Sequence, residues 1–80
     1  MKALANKRRM NIIRYLSRKK EATVGDIAKN IKLSFKSTSR HLTILYAADL
    51  VEREQRSLQI FYSIQAKPHP LVKYISNSHE

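Results

Sequence analysis

Apolar residues along this chain recur first at helical spacing and then, from Leu50 onward, at every second position. Met10, Ile13 and Leu16 repeat three residues apart with Ile12 beside them, which predicts a helix over residues 7–19 with that stripe inward. Asn6 stands where its side-chain oxygen can accept from an exposed amide and cap the helix. Arg18, Lys19 and Lys20 suit the negative end of the helix dipole. Thr23 opens a second helix, and Thr23-Val24-Gly25-Asp26 resembles a capping box with Asp26 in place of the usual Glu. Ile27, Ala28 and Ile31 supply its inner face, and it is expected to end near Asn30. After a tight connection through Lys32 and Leu33, Ser34 caps a third helix running to Ala47 or Ala48. Thr38, Leu42 and Leu45 share its back, and Lys36, Ser39, Arg40 and Thr43 lie on or near its front.

Beyond Leu50 the period of two predicts strands at 51–54 and 60–64, with Ile60, Tyr62 and Ile64 on one face. The turn between them, Gln55 to Gln59, has neither Gly nor Asn, the residues that usually fix such a tip. A last segment from Pro70 to about Asn77 carries Leu71, Val72, Tyr74 and Ile75, an apolar stripe too large for a lone surface helix. The fold class expected is α+β and mostly helical: a three-helix core, a two-stranded wing at about 51–64 and a short C-terminal helix. Residues 1–80 are read as one winged helix-turn-helix domain, with a dimerisation segment at about 68–77.

Charge adds a partner to this picture. Sixteen Lys and Arg against six Asp and Glu give a net charge of +10, which points to an anionic partner, nucleic acid before a membrane surface. The stretch from Ser34 to Ala48 contains no acid. Its front offers hydroxyls, which approach phosphates at little steric cost, and cations, which match the acceptors on base edges in the major groove. Arg40 is the expected base or phosphate contact. Arg53 and Arg56 in the wing are candidate backbone contacts. Phe35 at the helix start reads first as core and second as a partner for a thymine methyl. For His41, beside Leu42, packing at the core edge and a phosphate hydrogen bond both stand.

Other chemistry is poorly supplied. There is no cysteine, so disulfides, thiolate metal sites and Cys nucleophiles are absent. Ser39 and His41, two apart on a helix, point to different sides and cannot pair as nucleophile and base. No paired acids, phosphate-binding glycine loop or metal-ligand spacing occurs, so neither an enzyme, a cofactor nor a metal is expected; His69, His79 and Glu80 read as a tail. No apolar run nears 18 residues and the basic N-terminus lacks a signal-peptide core, so the expected location is cytoplasmic. A chain of 80 residues is marginally stable alone, which makes self-association attractive, with the stripe of Leu71, Val72, Tyr74 and Ile75 as the expected seam and Tyr15 and Leu4, on or before the opening helix, as its facing surface.

The same residues resemble the ArsR-type winged-helix transcriptional regulators over about residues 3–64. "ALANKRRMNIIRYL" is similar to that family's opening helix. "TVGDIAKNIKLSFKSTSRHLTILYAADLV" is similar to its helix-turn-helix, with Ser39-Arg40-His41-Leu42 on the Ser-x-His-Leu motif, and "IFYSI" to its last wing strand. The resemblance implies a homodimeric repressor on a palindromic double-stranded DNA operator, with the helix from Ser34 in the major groove and the hairpin on the backbone. Carried onto matching positions, it makes Lys36, Ser37, Ser39, Arg40 and His41 DNA contacts. Departures are visible too. Lys32 and Asp49 stand where the family usually has glycine, and Val24-Gly25-Asp26-Ile27 lacks the Cys pair of its metal-sensing branch. Two other functions share the pattern: an architectural DNA-binding protein of low specificity, and a winged helix used as a protein-interaction module.

Overall fold

The computed structural model of the chain describes residues 2–65. A short 3-10 turn, Lys2–Leu4, leads into helix α1, Lys7–Lys19. Asn6 caps α1, its side-chain oxygen accepting from the amides of Arg8 and Arg9 at 2.9 and 3.2 Å. Strand β1, Glu21–Thr23, follows directly. Helix α2, Val24–Ile31, is capped by Thr23, whose Oγ1 accepts from the Asp26 amide at 3.2 Å. Helix α3, Phe35–Ala47, is capped by Ser34, whose Oγ accepts from the Ser37 amide at 3.1 Å. Strands β2, Val51–Arg56, and β3, Gln59–Ile64, complete an antiparallel sheet of order β1-β3-β2.

Four of these boundaries turn on residues with positive φ, the first being Lys20, which ends α1 at φ 73°. Lys32 ends α2 at φ 57°, ψ 51°, and the Leu33 amide then donates to the Ala28 carbonyl at 3.0 Å. Asp49, at φ 59°, closes α3 and lets the Leu50 amide reach the Leu45 carbonyl at 3.0 Å. Both sit where the resembled family usually has glycine. Ser57, at φ 57°, turns the wing: Arg56 pairs with Gln59, so the loop is only Ser57 and Leu58 and the strands run longer than expected. A two-residue hairpin needs positive φ, which Ser57 supplies without glycine.

The core collects Ile12, Tyr15 and Leu16 of α1, Ile27 of α2, Leu42 and Leu45 of α3, and Ala22, Val51 and Tyr62 of the sheet. Helix α1 is therefore rotated from its expected orientation: Ile12 and Tyr15 are buried, whereas Met10 and Ile13 are only partly so. Tyr15 and Leu4, which a dimer was expected to use as a facing surface, belong to this core instead, Tyr15 inside it and Leu4 packed against it. Strand β1 was not expected. Its three residues pair with β3, Ala22 opposite Tyr62, and tie the wing to the helices. Thr38 is fully buried on the back of α3, and its Oγ1 has no hydrogen-bond partner among the described residues. The segment from Pro70 to Asn77, and His69, His79 and Glu80, lie outside the described residues.

Candidate nucleic-acid interface

Helix α3 turns its back, Thr38, Leu42 and Leu45, to the core, so its front is fixed by geometry. At 100° per residue, Lys36, Arg40 and Thr43 fall opposite that back, and all three are exposed. Ser39 flanks them on one side and Ser37 on the other, both half-buried. Thr43 spends its hydroxyl on the helix, donating to the Ser39 carbonyl at 3.0 Å. Lys36, Ser39 and Arg40 thus converge on one surface, preceded by the tight Lys32–Ser34 connection that sets α3 against α2.

His41 points to the flank facing α1. Its Nδ1 accepts from the Arg9 Nε at 3.2 Å, and an Arg9 Nη1 donates onward to the Ala3 carbonyl at 3.4 Å. Only a neutral imidazole can accept there. Burial, and then the neighbouring Arg9, Arg8 and Arg40 cations, push the His41 pKa below its ordinary 6.5. The histidine is thereby engaged as a joint between α1 and α3.

The wing cations are engaged as well. The Arg53 guanidinium lies 4.0 Å from the Tyr46 ring centroid, a cation–π contact that links β2 to the end of α3. Arg56 forms ion pairs with Glu21 of β1 and with Glu54, the latter at 2.7 Å, and its guanidinium lies 4.8 Å from the Phe61 ring centroid. Glu21, and then Glu54, raise the Arg56 pKa above its already high value. Arg56, Glu21 and Glu54 are all solvent-exposed, so the ion pairs contribute little to stability but do neutralise charge at the wing.

Two apolar residues stand out on the surface beside α3. Phe35, at the first turn of α3, is 63% exposed rather than core, and Leu58, at the wing tip, is 96% exposed. Both line a cleft between α3 and the wing, with Ser39 and Ile60 also in its walls and Val24 and Gly25 of α2 alongside. Leu58 lies inside the expected turn, Gln55 to Gln59, where no periodicity singles it out. Among the described residues no three His, Asp or Glu side chains come together as a metal site, and no helix is long and apolar enough to cross a membrane.

Three helices, a tight turn into an acid-free third helix and a hairpin beside it define a winged helix-turn-helix protein. The sequence profile of the arsR family of bacterial regulatory proteins matches residues 6–53, and the chain belongs to that family. It is a DNA-binding transcriptional regulator of that type. Among curated protein sequences none matches it. Solved structures do. The homodimeric winged helix-turn-helix DNA-binding domain of Mb0332 from Mycobacterium bovis is 30% identical with a TM-score of 0.76, over 98% of this chain and 75% of that one. The transcriptional repressor PagR of Bacillus anthracis is 28% identical with a TM-score of 0.73, over 99% of this chain and 86% of that one. PKZ Zalpha, solved in complex with ds(CG)6, is 32% identical with a TM-score of 0.67, over 70% of this chain and 90% of that one.

Proposed function

We propose that this protein is a homodimeric repressor that reads an inverted-repeat operator through α3. The observation that carries the reading is the front of α3: Lys36, Ser39 and Arg40 on one exposed surface, with no acid between Ser34 and Ala48. A duplex offers that surface phosphates to neutralise and guanine O6 and N7 acceptors for Arg40. Ser37 and Ser39, short and half-buried, donate to phosphates near the helix start. His41, Arg53 and Arg56 form the second rank. Each is held by a protein partner, so each meets the backbone in the orientation that partner imposes. Repression and the dimer take support from PagR and from the homodimeric Mycobacterium bovis domain.

The alternative, an architectural binder of low specificity, needs positive charge but no ordered reading edge. Selection of bound duplexes from a random pool at physiological salt separates the two. A palindromic consensus is expected. Recovery of unrelated sequences would overturn the repressor reading and leave the architectural one.

A further inference from the structure

The wing of this protein presents little free charge at its tip. Arg56 is paired with Glu21 and Glu54, and Arg53 is stacked on Tyr46. The most exposed large apolar residue among the described residues is Leu58, 96% exposed, in a turn shaped by the positive φ of Ser57. One exposed leucine is ordinary. This one shares a cleft with Ile60, 42% exposed, and with Phe35, 63% exposed, and the cleft is continuous with the α3 front through Ser39. Three large apolar side chains therefore stand in water beside the reading helix of a chain with net charge +10.

Phosphates give such side chains nothing; bases and deoxyriboses do. With α3 in a major groove, the groove next along the duplex is the minor one, and the wing lies next to α3. Apolar side chains that enter there partly unstack a base step and kink the duplex by about 20–90°. The deformation is least costly at pyrimidine–purine steps, which stack weakly.

We propose that Leu58 is an apolar wedge that enters the minor groove beside the α3 site and opens one base step, with Ile60 and Phe35 packing against the sugars behind it. The proposal rests on α3 being the DNA-reading helix. It adds a sequence preference that no hydrogen bond explains: a TA or CA step at the position under the wing.

The test is an end-to-end distance measurement on a dye-labelled duplex that carries the palindromic consensus from the selection, with a TA step under the wing, bound by the full chain. The unaltered protein is expected to shorten that distance by a kink of about 20–90°. Leu58→Ser is expected to leave the duplex straight and to weaken binding about 10- to 100-fold, the loss of one buried leucine side chain. Leu58→Met, which keeps apolar reach, is expected to retain both properties. The melting temperature of Leu58→Ser should match that of the parent, because the side chain is almost wholly exposed.

Binding without a kink overturns the wedge and leaves the α3 reading intact; so does equal kinking by Leu58→Ser. Failure of the unaltered protein to bind duplex DNA overturns both. Unchanged kinking by Leu58→Ser with loss of self-association assigns the tip to a contact between copies, which also overturns the wedge.

Discussion

At the scale of single residues, two adjacent basic side chains on α3 do different jobs. Arg40 stands on the outward face, opposite Thr38, Leu42 and Leu45, where a base edge can be reached. Arg40→Ala is expected to cost about 1–3 kcal/mol of binding on the selected operator and much less on random duplex. Equal losses on both, measured by titration at fixed salt, would make Arg40 a phosphate contact. His41, one position on, works inward. Its neutral ring accepts from Arg9, and burial and nearby cations hold its pKa below 6.5. The unfolded chain then binds more protons than the folded one between that lowered value and 6.5. The His41 contribution is full above pH 6.5 and is lost as the pH falls through its lowered folded pKa. Urea midpoints measured from pH 8 down to pH 5 should therefore fall more steeply for the parent than for His41→Gln. Parallel curves would remove the histidine from the account. Position on the helix thus separates two neighbouring basic residues that composition alone treats alike.

At the scale of elements, the signals that succeed in the sequence are local ones. Asn6, Thr23 and Ser34 each cap the helix they precede, because a cap depends only on the next three amides. Lys32 and Asp49 stand where the resembled family usually has glycine, and both adopt positive φ. A lysine there carries a strain of about 1 kcal/mol, so Lys32→Gly is expected to stabilise the fold by about that amount. For a domain this small the melting temperature should rise by about 4–8 °C. An unchanged or lower value in thermal melts would mean that the lysine side chain contributes packing that offsets the strain. Non-local features were hidden. Strand β1 is three residues long and exists only because β3 returns beside it, so no periodicity announces it. The Glu21 partner of Arg56 was invisible for the same reason. In α1, Ile12 and Ile13 are adjacent and both apolar, so spacing alone could not decide which faces inward; Tyr15 decides it, an aromatic ring buried in one cluster with Ile12 and Leu16. Phe35 was read as core from its hydrophobicity, yet the first turn of α3 overhangs the cleft and leaves it in water.

At the scale of the whole molecule, the proposed dimer decides how much specificity α3 can deliver. One recognition helix reads a few base pairs; two, about 34 Å apart, read both halves of an inverted repeat on one face of the duplex. The surface that joins the copies must be found anew, since Tyr15 is inside the core and Leu4 packs on it. The remaining candidate from the sequence is the stripe Leu71, Val72, Tyr74 and Ile75, which lies outside the described residues. Each copy also carries +10, so association without DNA works against repulsion that salt screens. Two opposite salt effects follow. Raising salt should strengthen dimers in free solution, where repulsion opposes an apolar contact. It should weaken DNA binding, with a logarithmic slope of about −0.9 for each phosphate neutralised and twice as many phosphates for a dimer as for a monomer. Sedimentation at micromolar concentration, at low and high salt and with and without operator duplex, reads both. The expected result is a dimer that tightens with salt alone and a complex of two chains per duplex. A single chain under every condition would sink the dimer, and α3 would then serve a half-site binder whose specificity must come from one helix and one wing.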